Sequence, residues 1–263
     1  MGYIIAILNA FTVASQDVLV KKLRGESRFF LIWLRMVMAV PVLALLVTIF
    51  STWEVPQSTF WWLILGINVP IEILQFYMGY TAIQTSPLSL VAPLSSFTSL
   101  FLIPVSYLVL GETPTLFAFI GVCLIVIGTF FLGWELGKNM KIGDGLKKVF
   151  SERGSWLVLA TALLVTIPIT TAKYTFRFAS PLLTAFYITV GLVIALTPLA
   201  LRKKGVMADI PKRKSLMGVL SVISGFSLGL HYTGISLLPI AYYISVKRLS
   251  MIFNVIFGHT FFQ

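Results

Sequence analysis

The chain has 263 residues, 58% of them hydrophobic and only 11% charged, with a mean hydropathy of +0.95. Soluble domains carry about a quarter charged residues, so this composition excludes an ordinary water-soluble fold. The formal net charge of +11 would suit a nucleic-acid binder, but the bases concentrate in connections between apolar runs, so no nucleic acid is expected as a partner.

A run of about 20 apolar residues crosses the hydrocarbon core as a helix. Nine such runs follow one another, at 2–20, 29–50, 60–84, 87–110, 114–134, 155–173, 181–201, 215–236 and 239–262. The short alternating segments of a membrane β-barrel are absent from the sequence. The first run lacks a positively charged leader, so it is expected to stay as a helix rather than be cleaved. Connections of a few residues after runs three, four and eight predict tight antiparallel hairpins. Trp53, Trp61, Trp62, Trp134 and Trp156 fall at run ends, where indole rings favour the headgroup region. Cys123 is the sole cysteine, so no intrachain disulfide is possible. The polar connection 135–154 divides five runs from four.

Fifteen of the 20 Lys and Arg residues lie after runs one, five and seven. They are Lys21, Lys22, Arg24 and Arg28; Lys138, Lys141, Lys147, Lys148 and Arg153; and Arg202, Lys203, Lys204, Lys212, Arg213 and Lys214. Basic loops stay in the cytoplasm, which predicts an outward N-terminus.

The sequence also repeats itself. "YTAIQTSP" begins at Tyr80 and "YTGISLLP" at Tyr232, and the register pairs Gly66 with Gly218, Ile71 with Ile223 and Pro87 with Pro239. "SRFFLIW" enters run two as "SPLLTAF" enters run seven. An odd number of helices per repeat inverts the second copy. Inverted repeats with a substrate near the midplane are a recurring plan of secondary transporters. At a shift of 152 the partner of run five would begin at about 266, so the sequence is expected to be truncated at Gln263 before a tenth helix.

The stretch "TSPLSLVAPLSSFTSLFLIPVSYLVLGETPTLFAFIGVCLIVIGTFFLG", with Gly111-Glu112 closing its small-residue-rich helix, resembles the second part of an EamA repeat of the drug/metabolite transporter superfamily. "AYYISVKRLSMIFNVIFGHTFF" is similar to the corresponding helix of a second repeat. The resemblance implies an all-α polytopic membrane protein of two inverted five-helix repeats. Residues 1–134 would form the first and 155–263 the truncated second, with nine helices present. It further implies a carrier of a small metabolite in the plasma membrane of a prokaryote. The partners expected are a small-molecule substrate, the lipid bilayer and a candidate coupling proton, with no cofactor.

Polar residues inside the runs are the candidate site. Asn68, Glu72, Gln75 and Gly79 share one helical face. A charge such as Glu72 costs roughly 2.5–3.5 kcal/mol at a helix centre on insertion scales, so it should face the bundle interior. Its role is either coupling and orientation or a structural partner for a buried base. Lys247, Ser250, Asn254 and Gly258 make a second stripe, with Arg248 about 100° away on a regular helix. The Lys-Arg pair is similar to one in plastid phosphate translocators, which implies an anionic or zwitterionic cargo such as an amino acid or phosphorylated compound; an ion pair with Glu72 or Asp17 is the other option. His231 either touches substrate or packs. Arg35 either belongs to the site or snorkels to the interface. Ser221, Ser224 and Ser227 suit close helix packing. Asp17 with Lys21, and Lys173 with Arg177, suit the interface.

An intramembrane lipid-processing enzyme or a non-catalytic scaffold is the rival class. "GFSLG" at 225–229 matches G-x-S-x-G, but that motif needs a strand–turn–helix elbow and here sits within an apolar helix. No P-loop or H-E-x-x-H is present, and neither His231 nor His259 has carboxylates at metal-site spacing.

Overall fold

The computed structural model describes residues 1–22, 28–85, 94–135, 153–201, 214–253 and 256–257. The basic connections at 23–27, 136–152 and 202–213, and the candidates Asn254, Gly258 and His259, lie outside the described residues.

The described residues are helical, without a strand. In chain order they form α1 (Gly2–Lys22), α2 (Arg28–Phe50), α3 (Ser58–Trp61), a π-helical stretch (Trp62–Asn68), α4 (Val69–Thr85), α5 (Phe97–Leu110), α6 (Leu116–Glu135), α7 (Arg153–Leu164), α8 (Thr166–Thr175), α9 (Pro181–Ala200), α10 (Lys214–Leu237) and α11 (Ile240–Lys247). Six helical segments among the described residues are long and apolar enough to cross a membrane. The protein is therefore a polytopic helical membrane protein.

Three segments depart from the regular helices that hydropathy predicts. Within 60–84, Pro70 has no N–H to donate, and the turn before it widens so that Val69 N–H reaches Ile64 O. Within 155–173, Pro168 leaves Leu164 O without its usual donor, and α7 gives way to α8 at Val165. After α11, Leu249 N–H bonds to Val246 O at 3.0 Å and Met251 N–H to Arg248 O at 2.9 Å. These tighter i→i−3 bonds replace the regular 3.6-residue turn and bring side chains three apart, such as Lys247 and Ser250, into line.

The described chain divides into two compact units that each draw on both halves of the sequence. One comprises Met1–Val69, Thr175–Leu238 and Val246–Gln263; the other comprises Pro70–Tyr174 and Pro239–Ser245.

In the first unit, α10 packs against both α1 and α2, and α2 also packs on α9. Small residues make the α10–α2 approach possible. A Cβ on Gly225 would lie 2.4 Å from Val42 Cβ, and one on Gly229 would lie 2.8 Å from a Leu46 methyl. The G-x-x-x-G spacing brings both glycines to one face, as membrane helix interfaces favour. The G-x-S-x-G match is thus a packing motif in a helix. Its serine faces the other neighbour: Asn9 Nδ2 of α1 donates to Ser227 O at 2.7 Å and to Ser227 Oγ at 3.0 Å. One turn away, Ser224 Oγ donates to Gln16 Oε1 at 3.2 Å. Trp33 Nε1 of α2 donates to Thr197 Oγ1 of α9 at 2.8 Å.

One end of this unit is closed by aromatics. Trp53, Trp61, Phe60, Phe186 and Tyr187 meet edge to face, and Tyr187 OH donates to Glu54 O at 3.1 Å. Rings with an apolar body and a polar tip suit this boundary. Ser180 caps α9 by accepting from Leu183 N–H at 3.2 Å, with Pro181 at the first helical position.

In the second unit, α5 packs on α6 and α7. Leu94 and Val158 form its buried apolar contact, with Phe97, Leu157 and Leu159 against it.

Candidate functional site

The first unit gathers charge on apolar helices. Lys247 is the last residue of α11, and its Nζ lies 3.5 Å from Nδ1 of His231 on α10. Arg35 on α2, Arg248 next to α11 and Asp17 on α1 all act electrostatically on Lys247. Three bases and one carboxylate are thus electrostatically linked through Lys247, on spans that the bilayer would otherwise keep uncharged. Lys247, Arg248, Arg35 and His231 are each half-buried, whereas Asp17 is exposed. Of the sequence candidates, His231, Lys247, Arg248 and Arg35 are brought together. Ser250 is half-buried just beyond the i→i−3 turn, in line with Lys247. Asn68 is buried at the end of the π-helical stretch.

The second unit holds Glu72 and Gln75, one turn apart on α4 and both half-buried. Glu72 Oε2 and Gln75 Oε1 are buried and accept no hydrogen bond from the described residues. Buried acceptors are nearly always satisfied, so each such oxygen calls for an explanation. On a membrane helix, a donor brought by a proton or a ligand is one.

A third polar group went unread in sequence as an assembly. Gly111 ends α5 in the left-handed conformation, with φ 72°. That geometry suits glycine. It turns the chain so that Glu112 reaches two other helices. Glu112 Oε1 lies 2.5 Å from Lys173 Nζ near the end of α8, and Oε2 accepts from Ile240 N–H, at the start of α11, at 2.9 Å. Thr115 N–H donates to Tyr242 OH beside it at 2.6 Å. The sequence offered the Gly-Glu dipeptide as a motif and Lys173 as an interfacial base. No periodicity links residues so far apart.

The first unit also has an apolar cavity of about 470 Å³ between α2, α9 and α10. Leu46, Phe50, Leu182, Phe226 and Leu230 line it, and the hydroxyls of Ser51 and Ser180 meet at its edge, 2.5 Å apart. None of the residues lining it is charged.

A family model described as the EamA-like transporter family matches residues 1–134. The chain belongs to that family. Members belong to the drug/metabolite transporter superfamily, so this EamA-like chain is a multi-pass membrane transporter of small molecules. No curated protein matches it. Twenty solved chains match. One of these, titled "Crystal structure of protein", superposes with TM-score 0.68 over 100% of the EamA-like chain and 90% of its own length. At 12% identity it shows a shared fold alone.

Proposed function

We propose that the chain is a secondary carrier for a small anionic or zwitterionic metabolite, working by alternating access. Residues 1–134 and 155–263 form two repeats inserted in opposite directions, together supplying nine spans. The observation that carries the cargo class is the gathering of Arg35, Arg248 and His231 around Lys247, with Asp17 as the acid. Three bases against one acid leave net positive charge on apolar helices, which an anionic cargo would offset. Lys247 and Arg248 hold the anionic group, and Ser250 and Asn254 supply hydrogen bonds. Arg35 and His231 shape the field around it. Glu72 is the coupling or orienting acid, with Gln75 and Asn68 as hydrogen-bonding lining; the unsatisfied oxygens of Glu72 and Gln75 support that role.

A melting-shift screen of the purified protein across amino acids and phosphorylated metabolites identifies the cargo. A cargo that stabilises the parent protein and not Lys247→Ala supports the base cluster as its seat. Equal stabilisation of both proteins refutes it.

A further inference from the structure

We propose that Glu112, Lys173 and the start of α11 form a breakable latch that closes one membrane face of the second unit. Three helix ends meet there: the end of α5, the end of α8 and the beginning of α11. The two carboxylate oxygens take separate partners, a side chain and a backbone N–H, so one residue ties all three ends. Glu112 also satisfies an N–H that a helix start leaves orphaned, where negative charge is favoured.

The same geometry makes the contact reversible. The Lys173 and Glu112 side chains keep 16% and 18% of their surface accessible, so water can replace each partner as they separate. Ion pairs with solvent access exchange for hydration at small net cost. The elements that would move have built-in breaks: Pro168 interrupts the ladder where α8 begins, and two residues, Leu238 and Pro239, separate α10 from α11. Gly111, in a conformation that side chains resist, lets Glu112 leave the axis of α5.

The latch has a purpose only in a carrier and so rests on that proposal, but its test needs no cargo. The reporter is Ser245→Cys in a Cys123→Ala background. Ser245 is buried on α11 and donates to Ala241 O at 2.7 Å. Its alkylation by a membrane-impermeant maleimide is timed in sealed vesicles, with reagent added to each face in turn. A second reporter, Thr189→Cys on α9, records general loosening.

With the latch intact, Ser245→Cys reacts slowly from both faces. Glu112→Gln and Lys173→Gln each raise its rate about ten-fold from the latch face only, the gain expected from losing one charge-assisted contact. Unchanged rates in both single variants overturn the latch, as does a parallel rise at Thr189→Cys. If the latch behaves as stated while Lys247→Ala leaves cargo binding intact, the base cluster fails and the latch stands.

Discussion

Two glutamates of the second unit meet opposite fates. Glu112 has a partner for each carboxylate oxygen, Lys173 on one and Ile240 N–H on the other. Glu72 lies within a span, and its buried Oε2 accepts nothing from the described residues. The bilayer penalises both charges, and the chain answers differently. At the helix ends it commits the carboxylate to holding elements together. Within the span it leaves the carboxylate available. The two acids differ in whether their acceptor oxygens are satisfied, not in residue type.

The strongest way to break this comparison is Glu112→Ala. It removes the carboxylate that Lys173 and the first N–H of α11 share and should cost about 2–3 kcal/mol, below the fully buried limit because water reaches the pair. The check is the melting transition in detergent or bicelles. A loss too small to measure would make Glu112 as dispensable to the fold as Glu72.

Gly225→Val comes next. The added Cβ would sit 2.4 Å from Val42 Cβ and 3.2 Å from Ala39 O, so α10 and α2 must separate. Overpacking of this kind costs about 1–3 kcal/mol. Gly218, with nothing within 4 Å of its added Cβ, is the matched control. Gly225→Val and Gly218→Val should differ clearly in melting temperature.

Asn9→Ala removes the donor to Ser227 and should cost about 0.6–1.7 kcal/mol, the range for hydrogen bonds between membrane helices. The smallest structural effect belongs to Glu72→Gln. Its carboxylate has no described partner at Oε2 to lose, so the melting temperature should hold or rise. Cargo flux through the same variant should fall at least about ten-fold, the size of one charge-assisted contact. A destabilised Glu72→Gln would move Glu72 into the class of Glu112.

Much of the fold was legible because spans are long and hydropathy integrates over their length. The helices at Gly2–Lys22, Arg28–Phe50 and Pro181–Ala200 follow the apolar runs closely. Packing roles of Ser224, Ser227 and the adjacent glycines also followed from residue size. Proline effects were less accessible. A proline is visible in the sequence, but whether Pro70 or Pro168 bends, widens or ends its helix depends on its neighbours. The i→i−3 turn at Arg248–Leu249 has no marker such as Gly or Pro in the sequence. In the candidate site, proximity of His231 to Lys247 is plausible from the short α10–α11 hairpin. The Glu112–Lys173–Ile240 assembly was not foreseeable, because its members lie up to 128 residues apart and only the fold brings them together. Asn9 and Gln16 went unremarked, since single amides on an apolar helix show no pattern until their partners are known.

The central claim is that the bases around Lys247 bind a transported anion. Its most direct test is initial uptake into proteoliposomes of the metabolite that stabilises the parent protein, compared between the parent and Lys247→Ala over a range of concentrations. Saturable uptake by the parent, with affinity or maximal rate reduced at least about ten-fold in a folded Lys247→Ala, is the result predicted. Uptake by Lys247→Ala with unchanged saturation would contradict the claim.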